Sequence, residues 1–249
     1  LYMKDRQRHQ EQIDPEAALE RLMATMKSDL RLKSQPRHIE CFDNSNLQGT
    51  NPTSACVVFR NGKPSKRDYR HFNIKTVEGP DDFASMKEAV YRRYDRLYKE
   101  SGEEGLPQLI IIDGGKGQVS HAMEAVEELH LRGKVAVVGI AKRLEELFFP
   151  GDSLPIYLDK RSPTLKVIQN MRNEAHRFSL THHRKKRSQS STASILDNIP
   201  GVGEATKRKL LIEFGSVSKI KNASLEDLKT VCSDRVSQQI SSFFKENKS

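Results

Sequence analysis

The sequence has no tryptophan, and only 6% of its 249 residues are aromatic. It has three cysteines, Cys41, Cys56 and Cys232, and no CxxC. Three cysteines cannot pair completely, so neither a disulfide framework nor a cysteine-rich zinc site organises the fold. A reducing cytoplasm is the default compartment for such a chain. No apolar run approaches the ~18 residues that span a bilayer, and no charged–apolar–small leader opens the chain. No membrane partner is expected. The first residue is Leu1 rather than Met, so the chain is expected to be a fragment.

What is present is charge. Lys and Arg number 42 against 33 Asp and Glu, a net +9, and 30% of residues are charged. The excess points weakly toward a polyanion, since many basic proteins bind no nucleic acid. A hydrophobic share of 36% still supports a real core at this length.

Residues 1–36 are polar, with Ala17, Leu19, Leu22, Met23 and Met26 at roughly helical spacing. They read as a lead-in helix and linker. Three strand-like runs follow: 38–43, 54–59 and 68–74. Asn61-Gly62 between the second and third is a hairpin signal, because both turn positions favour positive φ. Then the period changes. Phe83, Met86, Val90, Tyr94 and Leu97 repeat every three to four residues, as in an amphipathic helix. Pro80, Asp81 and Asp82 suit its start. The run 109–113 is apolar on both faces, as in a covered strand. A helix over about 118–129, a strand over 135–140 and a helix through Leu165, Ile168, Met171, Ala175 and Phe178 complete the pattern. This is an α/β domain, a mixed sheet flanked by helices, expected over 37–188. Residues 189–195 read as a polar linker, and 196–249 as a small all-α domain.

Asp43 and Asp113 each end an apolar strand. A carboxylate there is costly unless hydrogen-bonded, paired or bound to metal. If the two strands are neighbours, both carboxylates meet at one sheet edge, and Mg²⁺ or Mn²⁺ would relieve their repulsion. Each Asp alone also fits a simple loop cap. The loop Asp113-Gly114-Gly115-Lys116-Gly117-Gln118 opens a helix but lacks the Walker A pattern. Its glycines and Lys116 suit a nucleic-acid phosphate, or simply a tight turn. His176 lies beside the apolar stripe of its helix, with Arg172 four residues earlier on the same face. It gains meaning only if that helix packs against the carboxylates, where it could bind metal or move a proton. The basic run from His182 to Arg187, with Arg184 and Lys185 at its centre, suits DNA or a solvated helix end. Ile199-Pro200-Gly201-Val202-Gly203, followed by Lys207, Arg208 and Lys209, has the helix–hairpin–helix form. Gly201 and Gly203 would let backbone N–H groups meet a phosphate, with Lys207 as a further contact. A second helical pair follows through a glycine-free hairpin at 231–234.

The chain resembles the UvrC family, the incision subunit of bacterial nucleotide-excision repair, in its C-terminal half. The matching segments are residues 39–45, 48–50, 72–82, 112–118, 172–178 and 199–203. The resemblance implies an RNase H-like endonuclease domain followed by a tandem helix–hairpin–helix domain. It implies 5′ incision of a lesion-bearing strand of double-stranded damaged DNA. It implies Asp43, Asp113 and His176 as the metal-centred catalytic set, with Asp82 as a fourth functional acid. UvrB would be the partner, chiefly through the absent upstream part. Asn46 departs from the family, where many relatives carry His. The competing reading is a non-catalytic damaged-DNA-binding module on a degenerate scaffold. A nuclease for RNA–DNA hybrids is a third, suggested by fold alone.

Overall fold

The computed structural model describes residues 14–47, 50–77, 79, 81–141 and 145–246. Within these, side chains at 45–47, 50–51, 182–194 and 246 lie outside the description. The chain divides into two compact units, Leu1–Leu180 and Thr181–Ser249.

The first unit opens with α1 (Pro15–Asp29). Asp14 caps it, accepting from Ala17 N at 2.9 Å, and Pro15 fits the first turn, where an N–H is not needed. Met23, Met26 and Leu30 are fully buried in this unit's core. The helix read as a lead-in is therefore part of the packed domain.

Strands β1 (His38–Leu47) and β2 (Thr50–Arg60) pair antiparallel. Asn61 and Gly62 turn the chain at φ 51° and 72°, as the hairpin signal requires. The third expected strand, 68–74, is shortened to β4 (Arg70–Asn73), and an unexpected two-residue β3 (Lys63–Pro64) precedes it, both paired to β2. Pro64 has no N–H for a continuing ladder. Asp68 then closes a short turn by accepting from Ser65 Oγ at 2.8 Å and Arg60 Nε at 3.2 Å.

Helix α2 (Asp82–Ser101) starts at Asp81, whose carboxylate accepts from Phe83 N and Ala84 N. Then come β5 (Leu109–Asp113), α3 (Lys116–Glu128), β6 (Ala136–Ile140), the two-residue β7 (Leu147–Phe148) and α4 (Pro163–Asp197). The sheet has seven strands in the order β3-β2-β1-β5-β6-β7, with β4 also on β2. β1, β5 and β6 run parallel, and the remaining pairs are antiparallel. Ile110, Ile111 and Ile112 are fully buried, each stabilising by about 1.5–3 kcal/mol. Close packing of α3 on β6 needs Gly139: a Cβ there would lie 2.3 Å from Val119 Cγ2.

The two faces of β1 do different work. Phe42 points toward α2, its ring 6.0 Å from that of Tyr94. Cys41 and Asp43 point the other way, toward α4. The segment 189–195, expected as a linker, is helical and lies inside α4. No glycine or proline occurs between Pro163 and Pro200, so nothing in that stretch stops a helix.

The second unit contains the end of α4, then α5 (Glu204–Phe214), α6 (Val217–Asn222), α7 (Leu225–Val231) and α8 (Asp234–Glu246). Leu196, Ile199, Val202, Leu210, Ile220, Leu228, Ile240 and Phe244 form its own core. The architecture is the expected one: a mixed sheet flanked by helices, then an all-α unit. Among the described residues no helix is long and apolar enough to cross a membrane.

Candidate functional site

The parallel register of β1 on β5 pairs Cys41 with Ile111 and Phe42 with Ile112. The next positions are Asp43 and Asp113. Strand alternation puts both on the face that carries Cys41. They are 2% and 8% exposed. The thiol of Cys41 reports on the neighbourhood. It is pushed well up, first by burial and then by the charges of Asp113 and Asp43, while Arg172 opposes them. Two carboxylates and one guanidinium therefore surround the same buried spot.

Helix α4 brings His176 to this place. Ile168, Met171 and Ala175 are buried in the core of the first unit. Phe178 is held between Tyr69, edge-on at 5.1 Å, and His71, stacked at 3.8 Å. Tyr69 also donates its hydroxyl to Glu174 at 3.1 Å, so Glu174 anchors the helix. With the helix fixed, His176 Nδ1 lies 3.6 Å from Asp43 Oδ2. The imidazole is about half exposed and so open to solvent and substrate. Arg172, one turn earlier, keeps its side chain 15% exposed, with Nη2 3.9 Å from Glu145 Oε1.

Asp82 reaches the same end of the sheet by its backbone. Its carbonyl accepts from Asn44 Nδ2 at 2.8 Å, and Asn44 follows Asp43. The Asp82 side chain is exposed. Lys116 is the exposed first residue of α3, just past the loop that leaves Asp113. Asp43, Asp113, His176, Arg172, Asp82 and Lys116 therefore converge on one end of the sheet, although they come from five elements.

Among the described residues, no three or more His, Cys, Asp and Glu side chains form a ready-made metal-holding group. The two carboxylates nonetheless supply hard oxygen donors of the kind Mg²⁺ takes one or two at a time, with water and phosphate completing its shell. The pair fits a divalent cation held partly by substrate.

In the second unit, Gly201 has φ 82° and Gly203 caps α5. Both are exposed. Lys207 is placed otherwise than expected. It is 9% exposed, with its ammonium 2.7 Å from Asp197 and 3.1 Å from Glu204. The cations that face solvent after this hairpin are Arg208 and Lys209. The side chains of Arg184, Lys185 and Asn46 lie outside the described residues.

Three features escaped the sequence reading. Asn44 tethers α2 to β1. Glu145 adopts φ 57° and accepts from Gln169 Nε2 at 2.5 Å. A non-glycine in this region stores strain, and such residues cluster at functional sites. On the opposite face of β1, fully buried Glu40 is bonded by His38, Arg93, Tyr94 and Cys56. No local signal marks any of them, because apart from His38 beside Glu40 each partner comes from another segment.

The UvrC RNase H endonuclease domain family matches residues 27–180, more than half of the chain, and the helix-hairpin-helix motif matches 196–249. The chain is 61% identical over 235 residues to UvrABC system protein C of Flavobacterium johnsoniae, covering 94% of this chain and 39% of that protein. It is 52% identical over 227 residues to the same-named protein of Porphyromonas gingivalis, covering 91% and 38%. It thus spans about two fifths of the length of these relatives. Among solved structures, human ENDOV is 12% identical, with a TM-score of 0.40, covering 69% of this chain and 99% of that one. The match across the sheet domain and the two carboxylate-bearing strands makes the chain a member of the UvrC RNase H endonuclease domain family.

Proposed function

We propose that the chain is a divalent-metal-dependent endodeoxyribonuclease of nucleotide-excision repair that makes the 5′ incision on a lesion-bearing strand. One observation carries the reading: two buried carboxylates lie just past the parallel-paired stretch of β1 and β5, on one face, with an imidazole from a third element against one of them. Family membership and the helix-hairpin-helix match support it.

The reaction is phosphodiester hydrolysis. Asp43 and Asp113 would hold Mg²⁺ or Mn²⁺, which when bound polarises a phosphoryl oxygen and lowers the pKa of a coordinated water. Their burial keeps them fixed and raises the cost of leaving both charges uncompensated. His176, open to solvent beside Asp43, exchanges a proton with the attacking water or the leaving 3′ oxygen. Arg172 and Lys116 place positive charge where phosphate charge develops. Asp82, fixed through Asn44, adds an exposed carboxylate at the rim.

The second unit supplies sequence-independent grip. Backbone N–H groups at Gly201 and Gly203 suit phosphate oxygens, with Arg208 and Lys209 beside them. Arg184 and Lys185 remain candidates for the same role. Distorted duplex deforms easily, so shape selects the substrate without base contacts. Double-stranded damaged DNA, held in complex with UvrB, is the proposed partner. The three free cysteines suit a reducing cytoplasm.

The test is Mn²⁺-dependent nicking of a lesion duplex carrying a pre-made 3′ nick. Wild type should nick it, and Asp113→Asn should bind it without nicking. Equal nicking by both would refute the assigned role of Asp113, and nicking by neither would return the chain to the non-catalytic reading.

A further inference from the structure

We propose that Phe83 is a base-stacking residue: its ring receives the unstacked base beside the scissile phosphate. The proposal deepens the nuclease reading above and rests on it.

Phe83 is a large apolar side chain left 43% exposed. It sits in the first turn of α2, directly after Asp82. Asn44, which fixes the Asp82 carbonyl, directly follows Asp43. From the other carboxylate, the chain runs four residues from Asp113 to Gly117, against which the ring packs. A Cβ at Gly117 would lie 2.5 Å from Phe83 Cε1, so only glycine lets the start of α3 meet the ring this closely. His121, one turn further along α3, stacks on Phe83 with centroids 5.2 Å apart and planes 15° apart. Its Nδ1 lies 3.0 Å from the Gly117 carbonyl oxygen, which helps fix the imidazole.

Two segments, one leading from each carboxylate-bearing strand, therefore hold one exposed ring. A ring fixed before binding loses little rotamer entropy when a ligand arrives. Every nucleobase presents a π-face, so stacking serves any sequence. A base becomes available only where the strand is already unstacked, which is cheapest in distorted duplex. The ring thus couples distortion to the position of the cut. Lys116, exposed at the start of α3 between Asp113 and Gly117, places a cation beside that glycine for the adjoining phosphate.

The test is a duplex with a short unpaired stretch, carrying 2-aminopurine at each position in turn. The whole chain is added as Asp43→Asn, with Phe, Leu or Tyr at position 83, so the strand stays intact. With Phe83, fluorescence should be quenched at one or two adjacent positions. Phe83→Tyr should retain that quench. Phe83→Leu should lose it and weaken binding about fivefold or more, the lower end of stacking one base. Quenching by Phe83→Leu equal to Phe83 would overturn the proposal. So would loss of the quench in Phe83→Tyr, or the absence of any quenched position. If Phe83→Leu melts early, Phe83→Tyr decides alone. Incision is then compared with Asp43 restored, where Phe83→Leu should cut more slowly or at scattered positions. A wild type that quenches but never incises would sink the nuclease reading and leave the stacking role standing.

Discussion

Strand β1 carries two buried carboxylates three residues apart, and they lead opposite lives. Glu40 points toward α2 and is fully enclosed by Arg93, His38, Tyr94 and Cys56. Burial alone would push its carboxyl up. Hydrogen bonds from His38 and Arg93 outweigh that and hold it at about 2. Asp43 points toward α4, beside a second acid and a half-exposed imidazole. One charge is compensated wholly from within the protein. The other stands next to a like charge, an arrangement suited to a cation and a phosphate from outside. Burial of an acid therefore does not mark a site; the sign of its neighbours and an open side do.

The comparison breaks most sharply at Asp43. Asp43→Asn should lower incision at least about a thousandfold, as expected for a member of a group that acts as a unit. DNA affinity should stay within about twofold. Thermal unfolding should occur at the wild-type temperature or above, since one of two like charges is gone. Parallel nicking, binding and melting curves check this.

Next is His176→Ala. Loss of a proton-transfer group costs about 10²–10⁴ in rate. Single-turnover incision of the lesion duplex checks this, and a rate within about tenfold of wild type would assign the proton elsewhere.

Glu40→Ala should show the opposite phenotype to Asp43→Asn. Removing one partner of a buried ion pair costs about 3–5 kcal/mol of stability, read by urea unfolding. Activity per folded molecule should change little. The sign with pH follows from the lowered value. The Glu40 contribution is present above the ordinary carboxylate range and is lost as pH falls toward about 2. The difference between wild type and Glu40→Ala should therefore shrink in acid. A difference that grew in acid would contradict the assignment.

The smallest effect separates two lysines. Lys209→Ala should reduce the slope of log affinity against log salt by about one. Lys207→Ala should leave that slope unchanged and lower the melting temperature slightly, because its ammonium is engaged within the unit.

The sheet and the acids were legible for local reasons. Apolar runs ending in Asp43 and Asp113 announce both strands, but only β5 stops at its acid, while β1 continues through polar residues to Leu47; Asn61-Gly62 announces its own turn. The strand over 68–74 was read too long because periodicity does not show that Asp68 is captured by Ser65 and Arg60. The linker over 189–195 was read from polarity, but Ser, Gln and Thr only weaken a helix, whereas Gly and Pro stop one. Lys207 was read from charge, which says nothing about the acids it faces. The Glu40 network and the Asn44 tether were invisible because Arg93, Tyr94 and Asp82, which complete them, lie tens of residues away in the chain.

The most direct measurement is a double-variant cycle on Mn²⁺-dependent nicking of the nicked lesion duplex, using wild type, Asp43→Asn, Asp113→Asn and the double variant. If the two acids hold one ion together, either single change removes nearly all activity, and the double variant is no slower than the singles. Separate losses that multiply in the double variant would show that the two carboxylates act independently, and would contradict the shared centre.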